Sequence, residues 1–305
     1  MKKELMKCAP LKKGDSVALI APASPITEER LDYAVFAVKR MGLVPVVGES
    51  CLSSYGHLAG SDDMRAADVN RAFGDTNIKG IFCVRGGYGC QRILEKIDFE
   101  LIKRNPKALF GYSDVTALHT TINQLCGFIT YHTPMTGGPG FPRADNYTSE
   151  QFNRFVFGKW EGLVNNPDDY NWEFITKGIA KGSLCGGNLS VMVTSIGTPY
   201  DLDTFGKIIF IEDVEEEPYK IDRMLNQMKL CGKFDACAGV IFGDFADCTA
   251  KEPDKSLTIN EIICNLNLKV PVLKDFRCGH CLPTASLPMG AVVRLDSAGN
   301  EFEIL

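Results

Sequence analysis

Along this chain short apolar runs alternate with longer segments that are apolar at every third or fourth position, the pattern of strands followed by amphipathic helices. In the first half, strands are predicted at Val17–Ala21, Leu43–Val47, Ile78–Val84, Ala108–Phe110 and Phe128–Tyr131. Helices are predicted over Thr27–Met41, with Leu31, Ala34, Val35 and Val38 on one face, over residues 61–74 behind Ser61 as a cap, over Cys90–Ile97, and after Ser113. Strand, helix, strand within about 35 residues is a βαβ unit, so the strands are expected to pair in parallel. From 136 to 180 the period fades into Gly, Pro and polar clusters, and a domain boundary is placed there. The expected division is a first domain over 1–150, a linker region over 151–178 and a second domain over 179–305. In the second, Ile179–Cys185 introduces Gly186-Gly-Asn-Leu, strands are predicted at Lys207–Ile211, Val240–Phe242 and Val270–Leu273, helices at Ser190–Ile196, Pro218–Gly232 and Thr258–Leu266, and a terminal hairpin in AVVRLDSAGNEFEIL. The fold class is α/β.

Composition narrows the function. At 305 residues, 45% hydrophobic and 23% charged, the chain reads as an ordinary globular protein with ample core. A net charge of -5 offers no basic surface for nucleic acid, which leaves small-molecule or peptide chemistry. No apolar run approaches the ~20 residues of a membrane span, and no apolar segment follows the first lysines as in a secretory signal, so a cytoplasmic location without membrane contact is expected. The twelve cysteines are scattered through predicted elements and are expected to be reduced, buried thiols.

One joint in the pattern is suited to chemistry. In KALFGYSD the strand ends and a helix begins, with Ser113 between them. Such a turn lifts a side chain clear of the sheet and points the first helical N–H groups at it. A helix N-cap is the ordinary alternative, and Val115 stands where the Gly-x-Ser-x-Gly elbow has its second glycine. The glycines of Arg85-Gly-Gly-Tyr-Gly89 allow backbone N–H groups to approach an oxygen closely, although a plain turn explains them equally and the dinucleotide spacing is absent. Glu212 and Asp213 are delivered at the carboxyl end of a strand, where ligands of open α/β sheets bind. Of four histidines, His119 lies about 240° round its helix from Ser113, His57 is in a polar loop and His132 ends a strand. His280 sits in a loop ahead of a proline. The order Ser113, Glu212, His280 is that of α/β-hydrolases. A rival reading takes Cys278-Gly-His-Cys281 as a redox motif, but no helical period follows it, and no second cysteine pair completes a zinc site.

With these segments in view, the chain resembles the LD-carboxypeptidase family of serine peptidases, family S66, nearly end to end. The resemblance rests on GDSVALIAPASP, VRGGYG at 84–89, FGYSD at 110–114, GSLCGGNLS at 182–190, IFIEDVEEEPYKIDR at 209–223 and GHC at 279–281. It implies a Rossmann-like amino-terminal domain with a parallel sheet and a smaller β-rich α/β carboxyl-terminal domain, with the site between them. It implies Ser113 as nucleophile, His280 as general base and Glu212 as the orienting acid. It further implies an oxyanion hole from the backbone N–H groups of Asp114 and of Gly86 or Gly87, with no cofactor and no metal. Arg85 is a candidate for the substrate's terminal carboxylate. The implied reaction removes D-alanine from murein tetrapeptides in peptidoglycan recycling, and the implied state is a homodimer. Within the same family, a microcin C immunity-type peptidase cleaving an aminoacyl-nucleotide amide is the alternative, for which Trp160 is the candidate base-stacking aromatic, with a place in the core as its ordinary reading. A non-catalytic binding protein of the same fold is a third reading.

Overall fold

The computed structural model describes residues 4–138, 141 and 144–305. The chain divides into two compact units, one taking in residues up to Trp160 together with Ser286–Met289, the other Glu161–Ala285 and Gly290–Leu305.

The first unit alternates β1 (Ser16–Ile20), α1 (Glu28–Arg40), β2 (Val44–Val47), α2 (Asp62–Gly74), β3 (Ile78–Cys83), α3 (Cys90–Ile93), α4 (Phe99–Arg104), β4 (Ala108–Gly111), α5 (Thr116–Cys126), β5 (Thr130–His132) and α6 (Asn146–Val156). Sequence cues set the helix starts: the Thr27 hydroxyl accepts from Arg30 N and the Ser61 hydroxyl from Met64 N, each such cap being worth ~1 kcal/mol. Strands β2, β1, β3, β4 and β5 pair in parallel in that order. Their core is aromatic, with Phe82 stacked on Phe110 and Phe110 on Tyr131. The connection from β1 leads to one side and the return from β2 to β3 leads to the other. The strand order therefore reverses between β1 and β3, and that reversal is where open α/β sheets bind ligands, outside the carboxyl ends of the strands.

The second unit holds β6 (Gly162–Val164), β7 (Glu173–Thr176), β8 (Ile179–Asn188), α7 (Leu189–Thr194), β9 (Ile208–Val214), α8 (Pro218–Leu230), β10 (Gly239–Ala246), α9 (Ile259–Asn265), β11 (Val272–Lys274), and, after β12 (Leu287–Met289), β13 (Val292–Asp296) and β14 (Glu301–Ile304). Its sheet runs β6-β14-β13-β8-β9-β10-β11-β7, parallel from β8 to β11 and antiparallel outside them. Ile209, Ile211, Val240 and Phe242 pack with Leu189, Leu225 and Ile262 of the helices into one core. Residues alternate faces along a strand, so Phe210 and Glu212 point away from that core.

The α/β class and the parallel amino-terminal sheet are as expected, and the terminal hairpin pairs Val293 with Ile304. The linker expected over 151–178 is not one. That stretch finishes α6 and supplies β6 and β7, both short edge strands whose few residues leave no period to read. The first unit accordingly continues past 150, to Trp160. It also recovers β12, which pairs antiparallel with β5 from a proline-bearing segment that carries no predicted element. Pro288 is tolerated there because β12 is the sheet's edge. Among the described residues, no helix is long and apolar enough to cross a membrane. All twelve cysteines are free thiols, ten of them buried.

Candidate active site

Ser113 follows β4 by two residues and adopts φ 63°, a left-handed conformation that costs a non-glycine residue about 1–3 kcal/mol. Its surroundings hold it there. Val115 N donates to Tyr112 O, Thr133 N donates to Gly111 O at 3.0 Å, and His119 Nε2–H donates to the same carbonyl at 2.9 Å. His119 is wholly buried and burial pushes its pKa down to about 4, so it stays neutral and serves this turn. The N-cap alternative for Ser113 fails on geometry, since neither the short 3-10 turn at Ser113–Val115 nor α5 receives a side-chain cap.

The neighbouring carboxylate has a different task. Asp114 is buried, and its Oδ2 accepts from Cys90 N at 2.7 Å, which fastens the start of α3 and thereby the Gly86–Gly89 loop. Burial raises its pKa, opposed by the hydrogen bond from Cys90 and the charge of Arg65. The loop is also clamped from the β1 side. Ser24 N donates to Gly86 O at 3.1 Å, and the Ser24 hydroxyl accepts from Tyr88 N at 3.1 Å. Gly87 takes φ 100°, and a Cβ there would stand 2.3 Å from the Ser24 hydroxyl, so glycine is required on both counts. The fully buried Arg65 donates to Pro22 O and Gly89 O, joining the two loops, and pairs with Asp62. Arg85 donates to Pro25 O and is thereby engaged within the unit.

The other candidates gather in the second unit. Glu212, fully buried near the end of β9, accepts from His280 Nδ1 at 2.7 Å through Oε2. Its Oε1 has no partner among the described residues. Gly279, at φ 130°, lets the loop backbone come down on this pair, because a Cβ would meet Glu212 Oε2 at 2.8 Å. Burial pulls the His280 pKa down, yet the Glu212 carboxylate, followed by Asp213 and Asp244, outweighs it, and the net shift is upward. Donation of Nδ1–H to Glu212 leaves Nε2 as the basic nitrogen of the neutral ring. Asp213, adjacent in sequence, faces the other way and accepts from Asn188 Nδ2, Ser190 N and Ser190 Oγ, anchoring β9 to α7.

Of the predicted site residues, then, Ser113, Asp114, Gly86, Gly87 and Arg85 lie in the first unit, and Glu212 and His280 lie hydrogen-bonded in the second. Ser24 and Arg65, which brace the Gly86–Gly89 loop, were missed. Ser24 stands within the conspicuous APASP loop, whereas Arg65 occupies what reads as the polar face of an amphipathic helix. The redox reading loses its chemical basis, because burial pushes the Cys278 thiol well up and the Cys281 thiol up to about 12, the opposite of what a reactive cysteine needs. Among the described residues, no His, Cys, Asp and Glu side chains cluster so as to hold a metal. Trp160 is buried against Tyr131 and Phe155, a core residue rather than a stacking surface.

This geometry gives a first expected outcome. A Cβ on Gly86 would stand 2.9 Å from Ser113 Cβ and 3.0 Å from its Oγ, so Gly86→Ala displaces the Ser113 hydroxyl. The expected result is a fall in kcat of roughly 10²-fold with the melting temperature little changed. Steady-state kinetics beside calorimetry would check it, and an unchanged kcat would show that the Gly86 approach is irrelevant to Ser113.

Comparison with known proteins agrees in both halves. Residues 17–133 match the LD-carboxypeptidase N-terminal domain and residues 181–295 the LD-carboxypeptidase C-terminal domain. The chain is 40% identical over 291 residues to the "Probable murein peptide carboxypeptidase" of Bacillus subtilis (strain 168), covering 94% of this chain and 91% of that one. It is 27% identical to the "Microcin C7 self-immunity protein MccF" of Escherichia coli, over 94% and 92% of the two chains. The solved structure of MccF in complex with glutamyl sulfamoyl guanosine has the same fold, with a TM-score of 0.89 at 24% identity over 99% of this chain and 98% of that chain.

Proposed function

Because the chain belongs to the LD-carboxypeptidase family, we propose that it is a serine carboxypeptidase that removes the terminal D-alanine from murein tetrapeptides, with Ser113 as nucleophile, His280 as general base and Glu212 as its orienting acid. The observation that carries the mechanism is the 2.7 Å hydrogen bond from His280 Nδ1 to a carboxylate with no solvent exposure. It fixes the tautomer in which Nε2 accepts a proton.

In this reading Ser113 Oγ attacks the carbonyl between the L-centre of a diamino acid and D-alanine while His280 Nε2 takes its proton. The oxyanion is received by the N–H of Asp114 and one from Gly86–Gly87, each donor of this kind contributing ~3 kcal/mol. His280 then returns the proton to the departing D-alanine amine, and water, activated by the same nitrogen, releases the acyl group. Role in peptidoglycan recycling, cytoplasmic location and a homodimeric state belong to this proposal as what the family resemblance implies. The immunity-type alternative gains nothing from Trp160, whose ring is packed in the core.

The test is D-alanine release, followed by mass spectrometry, from L-Ala-D-Glu-diamino acid-D-Ala tetrapeptides containing diaminopimelate or lysine. Release from at least one is the expected outcome. Cleavage of an aminoacyl-nucleotide amide with neither tetrapeptide touched would replace the recycling reading by the immunity-type one.

A further inference from the structure

The loop that carries His280 is held on both sides of that residue by two charged residues outside the proposed triad. Arg277 Nη1 donates to Asp244 Oδ1 at 2.6 Å, and its Nη2 donates to Leu282 O at 2.9 Å. One guanidinium thus ties the end of β10 to the chain two residues beyond His280. On the other side, Asp244 N donates to Cys278 O at 2.9 Å. The approach of β10 to the loop is close: a Cβ on Gly243 would stand 2.5 Å from Cys278 O. The guanidinium also lies over the Tyr170 ring, 4.4 Å from its centroid, which fixes its plane. Both side chains are only about one-fifth exposed, at 20% and 21%, so water screens the pair incompletely.

We infer that Asp244 and Arg277 are a positioning pair for His280, holding the 277–283 loop against the end of β10 so that the imidazole is presented in one orientation. The inference rests on the reading of His280 as general base. The carboxylates acting on the imidazole are Glu212 and Asp213 on β9 and Asp244 on β10, and the loop itself carries Arg277, Cys278 and Cys281 within three residues of His280, the two thiols neutral. Burial draws the His280 pKa down, and Asp244 is one of the three carboxylates that bring it back up. Arg277 in turn lowers the pKa of the Asp244 carboxyl, against the larger effect of burial. The pair therefore has an electrical signature as well as a mechanical one. Removing the Asp244 charge exposes His280 to an uncompensated guanidinium, whereas removing the guanidinium leaves the Asp244 charge unopposed.

The experiment compares kcat and KM across pH for Asp244→Asn, Arg277→Met and Arg277→Lys, with melting temperatures, on the full chain and a tetrapeptide substrate. Asp244→Asn is expected to move the acid limb of kcat/KM to lower pH and Arg277→Met to move it to higher pH. Both are expected to lower the plateau kcat about tenfold or more with KM within a few-fold, since orientation and not binding is lost. Arg277→Lys keeps the charge but cannot span Asp244 and Leu282 together, so it should restore the limb without restoring the plateau. Equal losses at every pH with the limb unmoved would reduce the pair to a structural brace and overturn the inference. His280→Gln separates the two readings: if it is inactive while the limbs of the other variants stay put, positioning alone fails. If His280→Gln retains the wild-type rate, the general-base reading fails and this inference with it.

Discussion

Replacing Ser113 by alanine is expected to lower kcat for D-alanine release by about 10⁴-fold or more, with the fold retained. In the proposed mechanism the rate loss follows from removing the atom that would form the acyl bond. Retention of the fold follows from what the Ser113 hydroxyl does not do. It caps neither the 3-10 turn nor α5, and the turn is held instead by Val115 N on Tyr112 O and by the two donors on Gly111 O. Alanine meets nearly the same cost as serine at φ 63°, so the strain already present is left in place rather than added to. The melting temperature should stay within a few degrees of wild type. Rapid mixing with substrate should show an acyl-enzyme of the wild type by mass spectrometry and none of the variant. A variant keeping more than a hundredth of the wild-type kcat would remove Ser113 from the role of nucleophile.

That joint was visible in the sequence because three apolar residues, Ala108, Leu109 and Phe110, stop at Gly111 and a helical period begins soon after, so a change of period marks the turn itself. Whether Ser113 capped the helix or stood free of it depended on backbone angles, which residue types do not report. Glu212 was legible in a related way, as an acid closing an apolar strand, but so was Asp213. Alternation along β9 sends one to the face with His280 and the other to α7, and only the register against the core distinguishes them. The partner of Glu212 is 68 residues distant, and no spacing rule reaches so far. Arg65 was illegible for a physical reason. A buried arginine that donates to Pro22 O, Gly89 O and Asp62 looks in sequence like any solvated arginine on a helix, because an acid three residues before it is an ordinary surface pair and its other two partners are backbone carbonyls that any residue could supply. β12 failed to register because three residues with a proline carry no period, and it is edge pairing with β5 that makes a strand of them.

Replacing Glu212 by glutamine is the second large effect, and it should separate charge from structure. Glutamine fits the same space, so packing is preserved. What changes is the bond to His280. A carboxylate only accepts, which obliges Nδ1 to carry the proton; an amide can donate to Nδ1 instead, which moves the proton to Nε2 and removes the base. The expected fall in kcat is about 10⁴-fold, the size seen for the equivalent change in Ser-His-Asp hydrolases. The pH dependence supplies an independent sign. In the wild type the His280 pKa is raised, because the carboxylates led by Glu212 outweigh burial, and the ring must be neutral to act. Wild-type kcat/KM should therefore decline with falling pH through a limb above the ordinary histidine range of about 6.5. Without the Glu212 charge, burial gains the upper hand, and the residual activity should hold to lower pH before it declines. Stability should not follow activity. Glu212 is fully buried with Oε1 unpartnered, so neutralising it relieves a desolvation cost, and the melting temperature is expected to be unchanged or higher. A variant that loses stability and rate together, with its acid limb where the wild type has it, would make Glu212 a structural carboxylate and leave His280 without an orienting acid.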